Sequence, residues 1–206
     1  LISLAPNANR VPQHYSSSFP PLCFGLSHFG VVSWNGHGIV MASKRERDYM
    51  GLKVQELARH FDVVSFQEVH GLDTAIRRQF QVWLPSWDIG VSGFRDSHNM
   101  PKSSTGGVVT AVSPKVVRYS VKHTVLVPGR CMQTTILDTN NSSFNIINLH
   151  NFGLSLEQVL GIGSALGDIV LHDQFWPTSS FSLLVGDFNF DIPGAKRFKA
   201  GRPINE

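Results

Sequence analysis

Short apolar runs recur along the chain, and nearly every one is a stretch of β-formers closed by a polar residue or a glycine. FGVVSWNG from Phe29, VVSF over 63–66, WDIGVSGF over 87–94 and GGVVTAVS over 106–113 read as strands. So do TVLVP over 124–128, MQTTILDT over 132–139, FNIINLH over 144–150 and the run from Phe181 to Val185. Asn140-Asn141-Ser142 predicts a hairpin turn between two of them. Helical spacing appears in three places. Ser43-Lys44-Arg45-Glu46 matches a capping box, and Met50, Val54, Leu57, Ala58 and Phe61 follow as one buried stripe. Asp73 predicts a second helix start, with Ile76, Phe80, Trp83 and Leu84 on its inner face. Ser155 predicts a third, with Val159, Leu160, Leu166, Ile169 and Val170 as its apolar face. Strands and helices mixed in this way, with antiparallel hairpins in the centre, predict an α/β domain of packed sheets flanked by helices.

Residues 1–28 are rich in Pro, Ser and Asn and show no period, which predicts an irregular lead-in or linker ahead of a domain over 29–206. Among 206 residues, 42% are hydrophobic and 16% charged, enough apolar material for a core and too little charge for a disordered chain. No apolar run approaches the roughly 20 residues a membrane helix needs, so no membrane partner is expected. The net charge of +3 is compatible with a polyanionic substrate without requiring one. Cys23 and Cys131 form no CxxC pair, which argues against structural zinc and fits a reduced intracellular protein.

The residues that close the strands change the picture. VVSW ends at Asn35, VVSF runs into Gln67-Glu68, IINL ends at His150, and LLVG ends at Asp187 with Asn189 two positions on. Any one of these is an ordinary turn residue. All of them at strand ends, where α/β scaffolds carry function, make a candidate site. Glu68 and Asn35 offer hard oxygen ligands of the kind Mg²⁺ takes while it keeps waters for a phosphate-bearing substrate. Asp187 can orient or deprotonate a water, and His150 or Asn189 can donate to phosphate oxygens.

SWNGHGI, SFQEVHG, INLHNFG and LVGDFNFD resemble, in order, the motifs of the endonuclease/exonuclease/phosphatase superfamily, which includes DNase I and the endonucleases of LINE-type retrotransposons. The resemblance covers residues 29–191. It implies a DNase I-like sandwich of two mixed, mainly antiparallel β-sheets flanked by helices. It implies Mg²⁺, with Mn²⁺ as a substitute, at Asn35 and Glu68, and catalytic roles for His150, Asp187 and Asn189. Arg130 falls near a DNA-contacting arginine of some members. The implied partner is DNA and the implied setting is nuclear.

The sequence departs from that pattern in two places. His37 stands where the first motif often has Asn or Asp. The family closes with a further Asp and an Asp-His pair, whereas no histidine follows His172 here. The reading therefore expects a domain without its last strands, and little or no turnover from this chain alone. Three functions stay open: a DNA endonuclease of retrotransposon type, a phosphatase or phospholipid phosphodiesterase of the same fold, and a non-catalytic remnant that only binds nucleic acid.

Overall fold

A computed structural model describes residues 30–96, 98–117, 119–137, 143–175, 180–188, 198–199 and 202–203. The strands β1 (Val31–Asn35) and β2 (Val63–Gln67) run parallel, with helix α1 (Lys44–His60) as their crossover. Helix α2 (Asp73–Trp83) leads to β3 (Asp88–Ser92), and β4 (Val108–Val112) pairs antiparallel with both β2 and β3. The first sheet thus has the order β1-β2-β4-β3.

A short helix α3 (Pro114–Val117) precedes the second sheet. Its strands β5 (Ser120–Val127), β6 (Cys131–Leu137), β7 (Ser143–His150) and β8 (Ser180–Asp187) lie in sequence order. β5, β6 and β7 are antiparallel, and β7 and β8 are parallel, crossed by helix α4 (Leu156–Phe175). Two short strands, β9 (Phe198–Lys199) and β10 (Arg202–Pro203), pair antiparallel. Each four-stranded sheet therefore holds one parallel pair at an edge. The sheets face one another with β1 over β8, β2 over β7, β4 over β6 and β3 over β5.

The layers follow from the period-2 alternation of the strands. In β2, Val64 and Phe66 face the helices and pack with Ile76, Phe80 and Trp83. Val63 faces the other way and packs with Ile136, Phe144 and Ile146 of the second sheet. On the far side Ile147 and Leu149 meet Ile162 of α4. The result is helix, sheet, sheet, helix, the α/β sandwich of two mixed, mainly antiparallel sheets that the motifs imply.

The capping box forms as expected. Ser43 Oγ accepts from Glu46 N at 3.4 Å, and Ser43 N donates to Glu46 Oε2 at 2.9 Å. Asp73 does not cap α2. Leu72 holds the N-cap position, and the Asp73 carboxylate instead accepts from Gly93 N, tying the helix start to the segment after β3. Ser155 does cap α4, accepting from Gln158 N at 3.2 Å. Of the predicted face of α4, Leu166 packs on the core, while the first turns are rotated. Leu160 is 63% exposed, whereas Ile162 is buried. A helix apolar on most sides carries no period to fix which side goes inward. The expected turn at 140–142 and the lead-in over 1–28 fall outside the described residues.

Far from the strand ends, His123 sits between the sheets. Its Nδ1 shares a hydrogen bond of 2.9 Å with Thr134 Oγ1, its Nε2 has no hydrogen-bond partner, and Asp88 Oδ1 is 3.6 Å away. A Cβ on Gly90 would collide with the ring, so a glycine is needed opposite it. Burial lowers the His123 pKa, opposed by Asp88 and reinforced by Arg77. A lowered histidine pKa means that the unfolded chain takes up its proton first as the pH falls. Stability is then lost from about the ordinary value of 6.5 downward, by at most about 1.4 kcal/mol per pH unit for one proton. Urea midpoints measured across this range should fall with pH, and His123→Gln should flatten part of the slope. An unchanged slope in that variant would contradict the assignment.

Candidate active site

The alternation that builds the layers also aims the site. Ser33 and Asn35 of β1, Ser65 and Gln67 of β2, Asn148 and His150 of β7, and Asp187 of β8 occupy the inward-facing register of their strands. Asn35 pairs across from Gln67, and His150 from Asp187. The gap between the sheets therefore begins apolar, at Val63 and Phe144, and becomes polar towards these strand ends.

Asn148 is the polar link between the sheets. It is fully buried. Its Nδ2 donates to Phe66 O at 3.2 Å and to Val109 O at 2.8 Å, and its Oδ1 accepts from Gln67 Nε2 at 2.6 Å. Gln67 Nε2 also donates to Ser33 Oγ at 2.9 Å. This network fixes the end of β2, and hence the next residue, Glu68.

Glu68 has φ +52°, in the left-handed region that a branched or long side chain rarely occupies. Among the described residues only His37, Glu68, His70 and Asn99 combine a side chain with positive φ, and three of these four surround the site. Strain of this kind persists only where the surroundings impose it. Here the loop after β1 clamps the backbone: Gly36 N donates to Gln67 O at 2.7 Å, Gly38 N to Glu68 O at 2.6 Å and Val40 N to Val69 O at 3.1 Å.

The twist aims the Glu68 carboxylate between two imidazoles. His150 Nε2 is 3.3 Å from Oε1, and His37 Nδ1 is 3.6 Å from Oε2. Beside it Asn35 Nδ2 donates to Asp187 Oδ2 at 2.7 Å, while Asn35 Oδ1 accepts from His37 N at 2.9 Å. Asn35, Glu68, His150 and Asp187 thus share one cleft. Asn189 falls outside the described residues.

His150 forms the floor of the cleft, 1% exposed. Arg130 Nη1 approaches its Nδ1 at 2.7 Å. A guanidinium only donates, so Nδ1 must accept, and the ring proton sits on Nε2, facing Glu68. Burial is the main cause that lowers the His150 pKa, followed by the Arg130 charge, against the pull of Glu68 and Asp187. Arg130 is itself buried, with its guanidinium 4.6 Å from the Phe94 ring centroid. It is placed beneath His150 rather than on the open surface. Burial also lowers the pKa of His70, at the rim. Cys131, whose thiol burial pushes up to about 12, packs inertly against Ile147 and Leu149.

The donor set suits a hard divalent cation. Glu68 presents its carboxylate to the cleft, met among the described residues by the imidazoles of His150 and His37, and Asp187 and Asn35 add oxygens alongside. Among the described residues no three of His, Cys, Asp and Glu close into a cage. An ion at Glu68 would complete its shell with water and phosphate oxygens, as Mg²⁺ prefers. The sequence assigns no role to Asn148, although it lies within INLHNFG two residues before His150 in the same register, and it does not reveal the pairing of Arg130 with His150.

In its fold the chain is similar to ANGEL2, a 2′,3′-cyclic phosphatase, in complex with adenosine-2′,3′-vanadate. The identity is 14% and the TM-score 0.53, over 81% of this chain and 54% of that one. It is also similar to truncated Caenorhabditis elegans TDP2, at 17% identity and a TM-score of 0.50, over 84% of this chain and 67% of that one. The chain thus has the endonuclease/exonuclease/phosphatase fold, and it spans about half to two thirds of the length of these solved chains. No protein-family model matches it, and no curated protein does. Among the described residues no helix is long and apolar enough to cross a membrane.

Proposed function

We propose that this chain forms the body of a magnesium-dependent phosphodiester hydrolase acting on DNA, an endonuclease domain of the retrotransposon type. One observation carries the reading: a strained Glu68 holds its carboxylate beside the Asn35–Asp187 pair and over a buried, singly protonated His150. A divalent cation bound at Glu68 and Asn35, Mg²⁺ or Mn²⁺ in its place, supplies charge to polarise the phosphoryl group. The protein's own groups do the rest. His150 donates its Nε2 proton as a hydrogen bond to a phosphate oxygen that enters beside Glu68. Asp187 orients the attacking water and accepts its proton, with Asn35 fixing the carboxylate. Asn189 is assigned to the phosphate on the motif alone. Arg130 acts on the phosphate from below His150. It holds the His150 ring and adds positive potential below the phosphate.

Binding is measured together with turnover, because the two report on the metal site and on the chemistry separately. Supercoiled plasmid and a labelled duplex are incubated with the protein in magnesium and in EDTA. The expected result is magnesium-dependent binding with slow nicking. Binding that ignores magnesium would favour a nucleic-acid-binding remnant. Phosphate release only from 2′,3′-cyclic ends or inositol phosphates would replace the endonuclease with a phosphatase.

A further inference from the structure

Phe152 is an aromatic residue left open at the cleft yet firmly held. It is 58% exposed and stands two residues past the end of β7. Its backbone N–H donates to His150 O at 3.0 Å. Asn151, between them, is pinned to β8 through its own N–H on Asp187 O at 2.8 Å and to the next residue through Nδ2 on Phe188 O at 2.8 Å. The loop that presents the ring is therefore anchored on both sides. One face of the ring looks into the site. It lies 14° from parallel with the His150 imidazole, centroids 6.1 Å apart, and Arg130 Cζ is 5.5 Å from its centroid. The exposure leaves ring surface open to solvent. Other exposed apolar side chains nearby, Leu156 and Leu160 on α4, are aliphatic.

We infer that Phe152 is a stacking platform for the nucleobase next to the phosphate handled at His150 and Glu68, so that the site takes nucleic acid whose base is unpaired. The inference rests on the functional reading above and adds where the strand lies and in what state. A flat aromatic ring beside phosphate-binding groups is the arrangement that grips single strands, and it tolerates any base because every base has a π-face. A base inside a duplex already stacks on its neighbours, so the platform engages it only after it leaves the stack. The Arg130 guanidinium makes a cation–π contact with the ring and helps hold it in place.

The test uses the full chain in magnesium buffer and two fluorescein-labelled single-stranded oligodeoxynucleotides, read by fluorescence anisotropy. One is oligo(dA). The other has the same backbone length with tetrahydrofuran abasic residues in place of the nucleosides. The wild type should bind the strand with bases about 5- to 150-fold more tightly. Phe152→Ala should lose that preference while binding the abasic strand as before, and Phe152→Trp should keep it. Equal weakening of both strands by Phe152→Ala, or no weakening at all, would overturn the stacking role. Equal affinity of the wild type for both strands would overturn it too and leave the functional reading standing. Wild type that binds neither strand would overturn both.

Discussion

Asn148→Leu is expected to destabilise the domain by about 3–5 kcal/mol, the sum of two or three buried hydrogen-bonding groups left without partners. Leucine keeps the branched outline of asparagine, is somewhat larger, and returns nothing to Gln67 Nε2, Phe66 O or Val109 O. All of these atoms lie between the sheets, where water does not replace the lost amide. Such a loss is a large share of the roughly 5–15 kcal/mol that holds a domain folded. Urea denaturation of the two proteins measures it. The double variant Gln67→Met/Asn148→Leu should cost less than the sum of the single ones, because the stranded donor is then removed as well. A cost under about 1 kcal/mol for Asn148→Leu would show that the sheets are not held by this network.

Much of the fold was legible because its strands are short, apolar and closed by polar residues. β1, β2, β4 and β7 fall where the runs VVSW, VVSF, GGVVTAVS and FNIINLH place them. The stripe from Met50 to Phe61 faces the core because one side of α1 alone is apolar. α4 shows the opposite case. With apolar residues on several sides, only packing against β7 could select Ile162 over Leu160. Asp73 failed as a cap because a tertiary partner, the backbone of Gly93, competed for its carboxylate. A contact twenty residues away leaves no trace in local spacing.

The candidate site divides in the same way. Strand-end position placed Asn35, His150 and Asp187 in one cleft, since alternation turns each inward, and it put Glu68 at the end of β2 beside them. The strain at Glu68 was not legible, because φ is imposed by the loop that clamps Gln67 and Val69. Nor was the burial of Arg130, whose register brings it under His150 only after β6 and β7 pair. In sequence it reads as a candidate DNA contact at a strand start, with nothing to say that it is buried.

The largest expected functional effect is at Glu68. Its carboxylate is aimed into the cleft between His150 and His37, and its backbone is bent to put it there. Glu68→Gln keeps size and polarity and removes the charge. Loss of a group that merely supports a metal ligand weakens binding by about 10–100-fold, so loss of the ligand's charge should weaken it by roughly 100-fold or more. Neighbouring backbone contacts do not depend on the charge, and circular dichroism should match the wild type. The direct measurement is titration of the protein with Mn²⁺, following the free-ion signal by electron paramagnetic resonance and displacing it with Mg²⁺. Wild type should bind one Mn²⁺ that Mg²⁺ displaces, and Glu68→Gln should leave the ion free. Equal binding by both proteins, or none by the wild type, would contradict a metal-dependent phosphodiester site at these strand ends.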